Sequence, residues 1–381
     1  MKPRLTILCH DVSKNALGRA HIFYDLLHED FDIEIAGPSS TGRIWEPLRE
    51  ENMKIKVIDG RTWPEKVINI CKAIKGKTVL CVKPLFYSFI PALLKAAFCG
   101  TKLILDIDDY EKGFIREIFR EKPLLGKLRY LLYSLFRFPS PEAFFSVMAL
   151  DLAARAVKYK TVSGLALKSI YGGTVIRHIK YLPPVPPGKK EEIRKSLGLV
   201  HGGKLVMFLG TPRPHKGLKT LFRAMEDMPS DTVLLVAGAS ENEDQFRMQE
   251  KKLEEKIGKR YIRLGFTPLS ALGGYLSACD VFVIPQLSTP SSFGQVPAKL
   301  FDAMAAGCAI AASDAGEIPL ILGAAGKTYP SGDAGALKEL LTALLSSDDA
   351  RGRLKSLAAA AFAKVLEEQR SSAAQLKKML L

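Results

Sequence analysis

The sequence predicts two doubly wound α/β domains. Three observations lead there. Short apolar strand-like runs alternate with helical stretches almost from the first residue, a Pro-rich segment interrupts that alternation near the middle, and at 381 residues the chain is longer than one core usually serves.

In the first half the strand-like runs are residues 5–9, 33–36, 55–58, 79–82, 103–107, 161–163 and 175–176, with helical stretches such as 18–27, 65–75 and 89–98 between them. The runs are rich in Val, Ile and Leu, as strands covered on both faces are. At Leu182-Pro-Pro-Val-Pro-Pro-Gly-Lys-Lys-Glu the composition changes to a stiff connector. Beyond it strands at 205–209, 232–237, 262–264, 281–284 and 309–313 alternate with helices that begin at 216, 241, 269 and 297. From 334 the sequence is helical and rich in Ala, Leu and Lys. The expected division is therefore 1–183, a linker at 184–192, 193–355, and a helix at 356–381 packing back on the first domain. Two such halves predict a cleft between them, lined by the carboxyl ends of both sets of strands, where open parallel sheets hold their ligands.

Composition narrows the chemistry. Hydrophobic residues make up 47% and charged residues 25%, an ordinary globular balance. The net charge of +15 favours anionic partners: nucleotide phosphates, nucleic acid or an acidic membrane surface. No RNA- or DNA-binding module signature is present, so nucleic acid is not expected. Cys9, Cys71, Cys81, Cys99, Cys279 and Cys308 form no metal-binding spacing and mostly fall in apolar runs, which predicts reduced thiols in a cytoplasmic protein and no metal site. The opening MKPRLTILCHD is too short an apolar run for a secretory signal, and no window is long enough to span a membrane.

Two segments of the second half carry charge where folding does not need it. Val206-Met-Phe-Leu-Gly-Thr-Pro-Arg-Pro-His-Lys-Gly217 delivers a strand to a turn that presents Arg213, His215 and Lys216. Free backbone N–H groups with cations beside them form an anion cradle, most naturally for a diphosphate, although an ordinary basic turn has the same letters. The stretch Asp280–Pro319 reads as strand, polar loop, helix and strand. Pro297 suits the first helical position and Gly307 the residue past its end, while Leu300, Phe301 and Met304 form a buried stripe. Lys299 and Asp302, three apart, share a face, which suits either a ligand or a simple helix pair.

These segments resemble the retaining family-4 glycosyltransferases of the GT-B architecture. That family's Gly-x5-Lys-Gly turn is matched by Gly210…Lys216-Gly217, its acidic residue before an Ala/Met run by Asp302-Ala-Met-Ala-Ala-Gly307, and a Pro-x-Lys-Leu variant of its helix start by Pro297-Ala-Lys299-Leu. The resemblance implies a glycosyltransferase of hexosyltransferase type. Its substrate would be a nucleotide diphosphate-sugar, with no cofactor and no divalent metal. It implies that the second domain binds the donor, Lys216 and Arg213 neutralising the diphosphate and Asp302 bonding the ribose. Gly210, Thr211, Lys299 and loop residues Phe293, Gly294 and Gln295 would complete that site, with the base beside Gly265 and Phe266. By analogy with the family's first loop, Gly18 and Arg19 would approach the donor; Asn15 as a helix cap competes with that reading. The acceptor, a hydroxyl of a glycan or lipid-linked molecule in cell-surface polysaccharide or glycolipid synthesis, would lie on the first domain, and configuration would be retained.

The match has departures. Thr211 stands where the family usually has Arg, so Arg213 must substitute, and the ungapped position of the family's first Glu is Gly294. A nucleotide-sugar epimerase or hydrolase, or a catalytically weak donor-binding homologue, therefore stays open.

Two segments of the first half complete the reading. Asp106, Asp108, Asp109 and Glu111 crowd the end of one strand, where carboxylates need solvent, partners or a role. Asp108 or Asp109 would orient the acceptor hydroxyl or take its proton. Residues 112–138 place Leu128, Leu131, Leu132, Leu135 and Phe136 at helical spacing with Lys127, Arg129 and Arg137 around them. That pattern suits the inner face of an anionic membrane, and equally a helix packed on its own domain.

Overall fold

The computed structural model describes residues 2–199, 202–238, 244–265 and 267–381. They form two compact units. One comprises Met1–His178, Phe293–Gln295 and Glu368–Leu381; the other comprises Ile179–Ser292 and Val296–Glu367.

The first unit is built on strands β1 (Arg4–Cys9), β2 (Asp32–Gly37), β3 (Ile55–Val57), β4 (Thr78–Val82), β5 (Lys102–Ile107), β6 (Tyr159–Val162) and β7 (Thr174–Val175). They form one parallel sheet in the order β3-β2-β1-β4-β5-β6-β7. Its helices are α1 (Ala16–Leu27), α2 (Trp63–Ala73), α3 (Phe86–Cys99), α4 (Glu111–Glu121), α5 (Leu124–Phe136), α6 (Phe144–Ala156) and α7 (Leu165–Tyr171). Alternation along β1 supplies both faces: Leu5, Ile7 and Cys9 pack into one core, Leu8 into the other. Glu368–Leu381 adds Leu376 and Leu380 to the first of these cores, and the Thr78 hydroxyl donates to the Leu380 carbonyl at 3.2 Å.

The second unit carries α8 (Lys189–Ser196), β8 (Lys204–Leu209), α9 (Leu218–Glu226), β9 (Thr232–Ala237), α10 (Asp244–Ile257), β10 (Tyr261–Leu264), α11 (Leu269–Ala278), β11 (Val281–Ile284), α12 (Ala298–Ala305), β12 (Ile310–Ser313), α13 (Ile318–Leu322), β13 (Lys327–Tyr329), α14 (Ala334–Ser346) and α15 (Asp348–Leu380). Its parallel sheet runs β10-β9-β8-β11-β12-β13. Leu205, Met207 and Leu209 of β8 face one core and Val206 and Phe208 the other. Both sheets are thus doubly wound, and each reverses direction beside its first strand, at β1/β4 and at β8/β11. In such sheets the carboxyl ends of those two strands diverge and leave a crevice for a ligand.

The structure departs from the expected boundaries in several places. The change of unit falls between His178 and Ile179, ahead of the Pro-rich segment. Leu182 packs into the second unit's core, and Val185 lies against Gly273, so this segment is part of that unit rather than a free connector. The helix expected from 216 begins at Leu218, after a 3-10 turn at Pro214–Lys216 and a left-handed Gly217. The basic helix expected over 112–138 is two helices, because Pro123 has no N–H and holds Lys122 extended. The helix expected from 241 begins at Asp244 among the described residues; Glu241 lies outside them.

Candidate active site at the carboxyl edges of the sheets

In the second unit the crevice at β8/β11 is lined by the two segments singled out in the sequence. After β8, Gly210 (φ 142°) donates its N–H to the Ala237 carbonyl, and Thr211 to Gly217 turn back across the strand ends. Arg213 is exposed, while His215 and Lys216 are partly covered. Gly217 takes φ 68° directly over Pro285, where any Cβ would overlap the Pro285 carbonyl oxygen. The Leu287 N–H then donates to the His215 carbonyl at 2.8 Å. The basic turn and the loop after β11 are therefore one surface.

Beside it the sequence reading missed a residue. Gly238 follows β9 at φ 90°, and a Cβ there would come within 3.1 Å of the Gly210 backbone. Its N–H donates to the Gly265 carbonyl at 3.0 Å. One glycine thus stands after each of β8, β9 and β10, leaving bare backbone along that edge, where a ligand can approach closely. The signal was present in the left-handed preference of a glycine directly after a buried strand. Phe266, expected beside the base, lies outside the described residues.

Helix α12 begins after Pro297, one residue later than expected, and ends on Gly307 at φ 62°. Leu300, Phe301 and Met304 are buried as predicted, and so is Asp302. Its carboxylate lies 3.3 Å from the Lys299 ammonium, and its Oδ1 has no hydrogen-bond partner among the described residues. A buried carboxylate oxygen without a donor suits a ligand hydroxyl.

The first unit concentrates charge at the ends of β1, β4 and β5. Lys83, directly after β4, is the one non-glycine residue with positive φ (65°) among the described residues. Its buried ammonium meets Asp109, lies 3.5 Å from Asp108 and 3.4 Å from Glu111. Burial alone would strip its proton, but those three carboxylates hold it charged. A strained backbone with a buried charge at a strand end is characteristic of functional sites. Lys83 was missed in the sequence, although a cation closing a buried apolar strand was its signal.

Asp108 is buried, with His178 Nε2 at 2.6 Å and Arg19 at 3.9 Å. Burial works against its charge, yet His178, Lys83 and Arg19 hold it far below the usual carboxylate range. Such a group orients other groups better than it takes a proton. Glu111 behaves oppositely: burial, opposed by Lys83 and aided by Asp109, pushes it up to about 7. Asp109 also accepts from Gln295 Nε2 at 2.9 Å. His10, after β1, accepts from the Tyr87 N–H at Nδ1 and is held down to about 4 by burial, so it is a neutral imidazole.

Two donor-loop expectations meet a different geometry. Arg19 is fully buried and bidentate to Asp106 at 2.8 and 2.9 Å, a pair that Thr161 completes, so its fork is committed to the protein interior rather than to a phosphate. Gly18 is covered by the Trp45 ring. Phe293, Gly294 and Gln295 fall in the first unit, where Phe293 meets Tyr110 edge-on at 5.9 Å. A Cβ on Gly294 would lie 2.7 Å from Leu167, so this position has no room for a larger side chain unless its neighbours move.

On α5 the leucine face points outward. Leu124, Leu125, Leu128, Leu132, Leu135 and Phe136 are all exposed, Phe136 to 88%, while Tyr130 and Ser134 face inward. Lys127 lies over the Phe119 ring and Arg137 over Tyr133. Arg129 is exposed. Among the described residues no helix is long and apolar enough to cross a membrane, and no three His, Cys, Asp or Glu side chains are placed to hold a metal ion.

Residues 189–361 match the Glycosyl transferases group 1 family. The match covers most of the second unit. Phosphatidyl-myo-inositol mannosyltransferase of Mycobacterium leprae is 36% identical over 157 residues, 40% of each sequence. D-inositol 3-phosphate glycosyltransferase of Xylanimonas cellulosilytica is 29% identical over 187 residues, 48% of this chain and 44% of that one. The chain thus spans less than half the length of these relatives. Anabaena HepE, solved with UDP-glucose, superposes with a TM-score of 0.77 over 99% of this chain and 100% of its own, at 15% identity. That likeness shows the fold: two parallel-sheet, Rossmann-like units of the GT-B type. The family match and the relatives' names support a glycosyltransferase.

Proposed function

We propose that this protein is a glycosyltransferase that moves a sugar from a nucleotide diphosphate to a hydroxyl of a glycan or lipid-linked acceptor. The observation that carries the reading is the single surface formed in the second unit by Gly210–Gly217 and the loop after β11, within the part of the chain that matches the family. Arg213 and Lys216 supply positive charge to the leaving diphosphate, worth most where water is excluded. Asp302 Oδ1 takes the ribose hydroxyls, Lys299 orients it, and Gly265 lies beside the base. Retention follows the family pattern: the C1–phosphate bond breaks, the acceptor oxygen bonds C1 on the same face, and its proton passes to a donor phosphate oxygen.

The first unit's acid cluster orients the acceptor. Asp109 is its most available member, since Asp108 is held by Arg19, Lys83 and His178. HepE's ligand makes a UDP-sugar the first donor to test, and the relatives' names make an inositol-type polyol the first acceptor. The exposed leucines of α5, with Lys127, Arg129 and Arg137 about them, support a contact with the inner face of an anionic membrane.

Calorimetric titration with uridine, guanosine and adenosine diphosphates tests the donor site. One of them binds the parent, and Lys216→Ala weakens it at least tenfold with the fold unchanged; equal binding by the variant overturns the assignment. Gly294 favours one second reading, a donor-binding homologue with little transfer. Turnover of a bound donor that is no faster with any acceptor than without would select it.

A further inference from the structure

One surface of the first unit takes no part in this chemistry. It lies at the amino ends of β5 and β6, the edge opposite the acid cluster and on the order of 17 Å away along a six-residue strand. There an open groove of about 340 Å³ runs between Leu93, Leu103, Ala153 and Val157. Tyr159 stands at its side with two ammonium groups over its ring, Lys102 at 4.9 Å and Lys158 at 5.2 Å.

The helices that flank the groove turn apolar faces outward. On α6, Phe145, Ala149, Leu152 and Ala156 recur at helical spacing and are all exposed, Leu152 to 71%. On α3, Leu94 and Phe98 are exposed, Phe98 to 82%. A surface helix normally hides such a stripe, and a contiguous exposed one marks an interaction site. The charge on the groove's own lining has one sign: Lys102 and Lys158 stand there with no Asp or Glu, while Arg155 nearby is paired with Asp151 at 3.3 Å. A second copy of this chain would bring like charges together. An anionic amphiphile matches both the groove and its rim.

We propose that the groove takes an acyl chain of an anionic membrane lipid, with Lys102 and Lys158 holding its headgroup phosphate. The lipid is an anchor distinct from the acceptor, because the groove lies at the wrong edge of the sheet for transfer. The proposal rests on the reading that α5 meets an anionic membrane, and it extends that contact to α3 and α6.

The test uses the whole chain with vesicles of phosphatidylcholine alone or mixed with phosphatidylglycerol, both also made with brominated acyl chains. The added fluorescence of a Phe98→Trp variant is expected to shift to the blue and be quenched only on the anionic vesicles. Lys102→Gln with Lys158→Gln lowers partitioning about 30-fold, roughly fivefold for each surface lysine, with an unchanged melting curve. If Leu132→Trp on α5 is quenched and Phe98→Trp is not, the groove proposal falls and the α5 contact stands. If neither is quenched, both fall. A blue shift that follows protein concentration without vesicles, in step with dimerisation by sedimentation, makes the occupant a second copy and overturns the lipid.

Discussion

Gly217 lies so close to the Pro285 carbonyl oxygen that no side chain fits between them, and its backbone is left-handed at φ 68°. This contact joins the turn after β8 to the end of β11 and so assembles the surface proposed for the donor. Gly217→Ala must move one of them and also strain its own backbone. A loss of about 2 kcal/mol or more is expected in urea unfolding, together with weaker nucleotide diphosphate binding. An unchanged midpoint would show that the two segments are not in contact.

Arg19 and Asp106 form a buried bidentate pair. Removing one member leaves the other charged and uncompensated, so Arg19→Met is expected to cost about 3–5 kcal/mol. The double variant Arg19→Met with Asp106→Leu is expected to recover much of that. A single variant as stable as the parent would return Arg19 to the donor loop's surface.

Two buried groups give opposite dependences on pH. His10 is held down to about 4, below its unfolded value near 6.5, so the folded protein binds fewer protons in that window and stability rises with pH. Glu111 is pushed up to about 7, so its contribution is full below its ordinary value of 4.5 and is lost as pH climbs through 7. In Glu111→Gln the opposing contribution is gone, and the His10 effect dominates above the range in which the buried aspartates ionise. Its melting temperature should rise from pH 4 to 6.5, by up to about 3 kcal/mol in stability at constant ionic strength. A flat profile would place His10 in contact with solvent.

Gly294 packs on Leu167 and Tyr110. Gly294→Glu, which supplies the acid expected there from the resemblance of the sequence, is expected to lower stability by about 1–3 kcal/mol and to leave transfer no faster. Gain of turnover without loss of stability would mean that the loop sits elsewhere in the working enzyme.

The sheets were legible because parallel strands buried on both faces have a plain sequence signature, seen in Val281-Phe-Val-Ile284 and Leu103-Ile-Leu105. The turn proposed for the donor was legible because Gly, Pro and cations cluster directly after a buried strand. The sequence did not show which charges would cancel. Asp106 and Arg19 are 87 positions apart, and only the adjacency of β1, β4 and β5 brings Arg19 and Lys83 to that cluster of acids. Gly238 went unread for another reason: a glycine directly after a buried strand is a signal, but what it serves shows only once the Gly210 backbone is seen behind it.

The first unit is not made in one piece. Its β1 core includes Leu376 and Leu380, which follow the whole of the second unit in the sequence. During synthesis at roughly 5–20 residues per second, those two leucines emerge about 10–40 s after His178. Until then the face of the sheet that they cover is open to water and to other chains. The second unit, nearly continuous from Ile179 to Glu367, can close first. Vectorial folding would therefore finish the N-terminal unit last, and nascent chains would need their exposed leucine-rich surfaces shielded for that interval.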